Sequence, residues 1–149
     1  MLLEVFSNTQ LPTLERLKKN ISTRIPHILD GIGVYMEASA IENFEEQGRS
    51  EKWKENAPAT LEKKKGNLIL HESGLLKLGI THEVDESENE VHIGPSGPAL
   101  PYSAIHNFGG EAGWNLSVTI PARPYLVFQE SDQVWIRRFV RNEVFYAGN

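Results

Sequence analysis

The apolar residues of this chain change their spacing near residue 79, and no other feature of the sequence constrains the fold as tightly. Before that point they recur every three or four positions. Leu11, Leu14, Leu17, Ile21 and Ile25 form one stripe, with Glu15, Arg16, Lys18 and Lys19 on the other side and Thr13 suited to cap the start. This predicts a helix over 13–25. Pro26 disfavours helical geometry in the residue before it, so the helix is expected to stop there and a second to run from 26 to 47. The second stripe is Ile28, Ile32, Tyr35, Met36, Ser39, Ala40 and Phe44, and Gly48 is placed as the left-handed residue after the helix. Gly31 and Gly33 weaken that helix by about 1 kcal/mol each relative to alanine, and leave room for another backbone to come close. Residues 48–60 read as a polar connection anchored by Trp53, 60–66 as a short charged helix, and Gly74–Leu78 as an amphipathic turn capped by Ser73.

After residue 79 the period becomes two. Ile80, His82 and Val84 alternate with Thr81, Glu83 and Asp85, and Val91 and Ile93 alternate with Glu90, His92 and Gly94. With the turn Glu86-Ser87-Glu88-Asn89 between them, these runs predict an antiparallel hairpin. Leu116, Val118 and Ile120 supply a third strand, which Pro121 ends. A last helix is expected over 131–145, carrying Val134, Trp135 and Phe139. Helices, then strands, then a helix make an α+β fold, a small antiparallel sheet packed by N-terminal helices and a C-terminal helix. At 149 residues the chain is expected to form one domain over 1–149, with 1–25 as an N-terminal helical extension.

Composition removes several function classes. The chain has no cysteine, which rules out disulfides, thiol nucleophiles and thiolate zinc sites. A net charge of −5 disfavours a dedicated nucleic-acid binder. Glu4 interrupts the apolar start and no basic leader precedes it, so no signal peptide is expected, and no window suits a membrane span.

Chemical motifs are begun and not completed. His71-Glu72 opens like a zinc-protease helix, but Leu75 stands where the second histidine belongs. Gly94-Pro95-Ser96-Gly97-Pro98 departs from a nucleophile elbow at its last position, and no phosphate-cradling glycine loop is present. His82 and His92 are expected to face each other across the hairpin, without a third ligand. The carboxylates of 42–51 and 85–90 read as solvated, with none buried. The basic clusters Lys18-Lys19, Lys63-Lys64-Lys65 and Arg137-Arg138 are short and lie among acids. No catalytic, metal or cofactor residue is assigned.

Two segments stand apart. Residues 102–110 read as a short helical plug over the sheet, closed by Gly109 and Gly110. Tyr102 and Ile105, with either Phe108 or His106, share its face, and His106 reads as a core histidine bonded to backbone. In Ile120-Pro121-Ala122-Arg123-Pro124-Tyr125-Leu126 the prolines stiffen an extended strap. They hold Arg123 for a carboxylate or for an aromatic face such as Tyr102 or Tyr125, as an internal clamp or as a subunit contact. Trp114, in a short glycine-flanked loop, has the character of an interface anchor.

Trp53, Thr60, Ile69-Leu70-His71-Glu72-Ser73-Gly74-Leu75-Leu76, Val91-His92-Ile93-Gly94, the run Tyr102 to Gly110 and Pro121-Ala122-Arg123-Pro124-Tyr125-Leu126 together resemble the phage virion morphogenesis (tail-completion) family of Mu-like phages and prophages. The resemblance spans about residues 27–140. It implies a structural virion protein of the tail or neck, made in the host cytoplasm, that completes tails and joins them to heads, with no enzymatic activity and no cofactor. It implies tail-tube, terminator or neck proteins as partners and a homo-oligomeric ring. A neck or connector module touching nucleic acid is the alternative, and a small hydrolase built on His106 a third reading.

Overall fold

A computed structural model describes residues 13–64 and 66–146. Leu11 and the first twelve residues lie outside that range, as do Lys65 and residues 147–149.

The backbone of the molecule is one long helix, α1, Leu14–Glu45. Thr13 caps it as expected, its hydroxyl accepting from the Arg16 amide at 3.3 Å. The expected break at Pro26 does not occur; the proline sits inside α1. A proline there removes one helical hydrogen bond and costs about 3 kcal/mol. Contacts on both sides of it offset that cost, because the C-terminal helix α5, Glu130–Phe145, is held to α1 before and after the proline. Arg24 meets Glu143 at 2.5 Å, and Tyr35 stacks on Trp135 with ring centroids 3.9 Å apart. Local propensity loses to packing. α1 ends in a reciprocal pair of bonds, Gly48 N–H to the Asn43 carbonyl (2.9 Å) and Gln47 N–H to that of Phe44 (3.4 Å). The first left-handed residue is therefore Gln47, with Gly48 one place further on, not Gly48 itself.

Two short helices follow, α2 (Pro58–Lys63) and α3 (Leu75–Leu78), and then the expected hairpin of β1 (Ile80–Asp85) and β2 (Glu90–Pro95). Its antiparallel register sets His82 opposite Ile93 and Glu83 opposite His92. The two histidines thus lie on opposite faces, because partners across a sheet share a face and these are one position out of step. His82 points at α1, where Glu37 (2.7 Å) and Asp30 (3.2 Å) bracket its ring. Burial opposes its charge, but the hydrogen bonds to Glu37 and Asp30 outweigh burial and raise its pKa.

α4 (Leu100–Phe108) leads through Gly109 into β3 (Gly110–Ala112), which pairs with β4 (Val118–Ile120). The strand expected at 116–120 is therefore shorter and does not extend the hairpin. Leu116 leaves it with a φ of 53°, and the remaining residues find a partner strand just after the double glycine. The fold is α+β with two small antiparallel sheets packed against helices.

The apolar core gathers Ala40 and Phe44 of α1 with Trp53, Ile69, Leu76, Ile80, Ala99 and Tyr125. One carboxylate is buried after all. Asp132, fully inaccessible, accepts from Ser39 (2.8 Å), Tyr35 (3.2 Å) and the Gln129 amide (2.8 Å), with Arg49 at 3.9 Å. It caps α5 and ties that helix to the middle of α1. The acidic runs considered in the sequence did not include it.

The glycines of α1 do admit close neighbours, though rings and not backbone. A Cβ on Gly31 would lie 2.5 Å from Cζ of Phe139, and one on Gly33 would collide with the His82 ring. Gly31→Ala should therefore lower stability by about 1 kcal/mol, overpacking outweighing the gain in helix propensity. Adding Phe139→Leu should recover part of that loss. Chemical denaturation checks both; a more stable Gly31→Ala protein would contradict the packing described.

Candidate functional site

The strap 121–126 leaves β4 in extended form and lies along α4, and its polar groups explain the arrangement. Asn107 is buried on α4 and its Oδ1 accepts from the amides of both Tyr125 and Leu126, each at 3.0 Å. The Arg123 amide donates to the His106 carbonyl at 2.9 Å, and the Tyr125 hydroxyl to that of Ser103 at 3.1 Å. On its other side the strap meets α1 and the connection after it: Asn43 Nδ2 donates to the Tyr125 carbonyl (3.1 Å), and Trp53 Nε1 to that of Pro124 (3.2 Å). Pro124 has no amide to satisfy, so its carbonyl is the group that needs a partner.

Arg123 is 7% exposed, and it reaches neither a carboxylate nor an aromatic face. Nε donates to the Lys54 carbonyl at 3.1 Å and a terminal nitrogen to that of Glu55 at 3.0 Å. Of the two expected roles this is the geometry of an internal clamp, holding residues 54–55 against the strap. The extended connection offers consecutive free carbonyls, which suit the guanidinium fork better than a carboxylate that would have to be buried as well.

The helical plug turns a different face inward from the one centred on Phe108. Ser103 and Asn107 are buried, Tyr102, Ile105 and His106 are half-buried, and Phe108 is 78% exposed. His106 rests edge-on to Tyr102, with ring centroids 5.8 Å apart. Its Nδ1 is buried without a hydrogen-bond partner, where a backbone bond was expected. Burial, and then the nearby Arg123 cation, push its pKa down, so the ring is held neutral. Trp114 is 88% exposed at the tip of the β3–β4 turn, clear of the core.

The segments singled out in the sequence converge on one cleft of about 640 Å³. The stretch 70–76 forms one side, Tyr102 and His106 of α4 the floor, and β4 with Pro121 and Arg123 another side; α2 with Asn56 closes it. Trp53, Tyr125, Gly109 and Gly110 are not in its lining; the first two pack the core behind it, and the glycines turn the chain from α4 into β3. A Cβ on Gly109 would stand 2.8 Å from the Ala122 nitrogen, which is why that turn needs glycine. Lys63, Lys64, His71 and Arg123 outnumber the single acid Glu72 around the cleft. Burial lowers the pKa of Lys64, with Glu72 opposing and Arg123 adding to the effect. Asn56 Nδ2, like His106 Nδ1, is buried and unpaired. Sequence reasoning passed over Asn43 and Asn56, since a polar residue gives no sign of burial until its partners are known. Among the described residues no group of three or more acids and histidines is placed to hold a metal ion, and no helix is long and apolar enough to cross a membrane.

Comparison with known proteins bears on most of the chain. Residues 8–144 match the phage virion morphogenesis family, a range that begins inside the N-terminal stretch whose residues carried no resemblance. The chain is 36% identical over 120 residues to the Mu-like prophage FluMu G protein 2 of Haemophilus influenzae, covering 80% of this chain and 78% of that protein. No solved structure matches significantly.

Two outcomes follow from the site. Lysine at 123 can satisfy only one of the two carbonyls well, so Arg123→Lys should destabilise nearly as much as Arg123→Ala, each by about 2 kcal/mol. A lysine variant that melts like the parent would refute the clamp. The second concerns pH. His82 has a raised folded pKa, so its contribution is complete below the unfolded value of about 6.5 and is lost as pH rises through the folded one. His106 has a lowered folded pKa, so its contribution is present above about 6.5 and is lost as pH falls towards the folded value. Unfolding free energy measured against pH should lose the part of its decline that begins near neutral pH in His82→Gln, and part of its acid decline in His106→Gln.

Proposed function

Since the chain belongs to the phage virion morphogenesis family, we propose that it is a structural part of tail completion, acting at the head-proximal end of the tail or in the neck, where finished tails join filled heads. The observation that carries the reading is how the distinctive residues are used. Arg123, Asn107, Tyr125 and Trp53 direct their polar groups to backbone of the same chain and brace a surface cleft. Chemistry would need a nucleophile and a base coupled in that cleft. His106 instead leaves Nδ1 unpaired, and the Ser73 hydroxyl oxygen accepts from the Leu75 amide at 3.4 Å, with no base among the described residues bonded to it. A braced cleft with a separate exposed Trp114 suits a protein that holds others in place.

In this reading several copies form a ring on the tail axis, contacting tail-tube, terminator or neck proteins. Tail tubes are rotationally symmetric, and head-to-tail contacts between identical subunits close into rings. Deleting the gene from a phage that carries it should leave capsids that package DNA beside tails that fail to complete or to join, as seen by electron microscopy of lysates. A deletion that stopped capsid formation, DNA cleavage or host lysis would overturn the proposal.

A further inference from the structure

The cleft is built to receive something acidic, and the molecule carries a rigid acidic projection that cannot reach its own cleft. The cleft is lined by Lys63, Lys64 and His71, with His106 and the buried Arg123 beneath them, against the one acid Glu72, and its Asn56 Nδ2 is a buried donor with nothing to donate to. A buried donor without a partner is destabilising, and an incoming carboxylate or carbonyl would satisfy it. Lys63 ends α2 and Lys64 follows it, both in the lining of the cleft, where the Lys64 ammonium donates to the Leu68 carbonyl.

The projection is the β1–β2 turn. Asp85, Glu86, Glu88 and Glu90 lie within six residues, and Glu86, Glu88 and Glu90 are exposed. Its shape is set in advance: one oxygen of Asp85 accepts from the Ser87 amide (2.9 Å), the Ser87 hydroxyl (2.7 Å) and the Glu88 amide (3.1 Å). These bonds hold the Asp85 carboxyl charged by lowering its pKa. Asn89, with a φ of 56°, completes the reversal. A turn ordered in this way loses little entropy on docking.

Distance separates the two features within one molecule. Ile80, where β1 begins, shares the core with Leu76 of the cleft wall. β1 then runs six residues, about 17 Å, away to the acidic turn. From this complementarity of charge we infer that the β1–β2 turn of a second copy docks in the cleft, Glu86 and Glu88 facing Lys63 and Lys64. The contact joins two different surfaces, so it repeats from copy to copy and can close a ring. It deepens the ring reading above by naming the surfaces that meet.

The lack of cysteine makes a direct test available. Two full-length single-cysteine proteins, Glu88→Cys and Lys63→Cys, are mixed at high concentration under mild oxidation, beside a control pairing Glu88→Cys with Gln133→Cys on the exposed side of α5. The tip–cleft pair should form mixed disulfide about tenfold faster than the control at low salt, and lose that advantage at high salt. Lys64→Glu in the cleft partner should abolish the advantage, and Glu86→Lys in the tip partner should restore it. Equal rates for the two pairs, or rates indifferent to the charge reversal, would overturn the inference. So would failure of tail completion in a Lys63→Glu, Lys64→Glu phage without any tip–cleft cross-link, which would assign the cleft to an acidic segment of another virion protein. The gene deletion reads tail completion whatever the subunit contact, so either idea can fail without the other.

Discussion

Tyr125 is 1% exposed, and each of its three polar groups has a partner elsewhere in the chain. Its amide bonds Asn107 and its hydroxyl the Ser103 carbonyl, both on α4, while its carbonyl receives Asn43 of α1. Its ring packs on Phe44, whose ring in turn meets Trp53 edge-on. Burying a tyrosine brings a large apolar area out of water, but any of these polar groups left unpaired would cancel much of the gain. The end of α1, the connection after it, α4 and the strap are therefore fixed together or not at all.

The cleft is a consequence of that constraint. With the strap pinned at Tyr125, Arg123 is two residues away and points back to the Lys54 and Glu55 carbonyls, which draws α2 and Asn56 over the floor made by Tyr102 and His106. Its walls are held by hydrogen bonds between distant segments and not by a continuous sheet, since each of the two sheets has only two strands. Such a surface keeps its shape while leaving a few polar atoms unpaired, the condition a docking site needs.

The other half of the molecule obeys a simpler rule. α1 has two flanks, one taken by the hairpin and one by α5, and each flank carries a glycine where a ring must pass. Asp132 adds a buried polar tie between the helices. Arg49 balances its charge and also meets Glu42, so the tie extends to the surface. Removing one partner of such a buried group is far costlier than its net contribution suggests.

What the sequence determined by itself is whatever depends on neighbours in the chain. The Thr13 cap, the hairpin with its Glu86–Asn89 turn, the short helix closed by Gly109 and the extent of α5 were all legible, because periodicity, capping and turn chemistry act over a few residues. The motif segments also carried the family, though not the reason they travel together. Tertiary structure alone decided that α1 continues through Pro26, that residues 118–120 pair with 110–112 and not with the hairpin, and that His82 turns from His92 towards α1. It alone chose carbonyls over a carboxylate for Arg123, and buried Asp132, Asn43 and Asn107. Most of these rest on contacts between residues far apart in the chain, and the β3–β4 pairing, though closer in sequence, depends on the turn that the double glycine makes, so no local period encodes them.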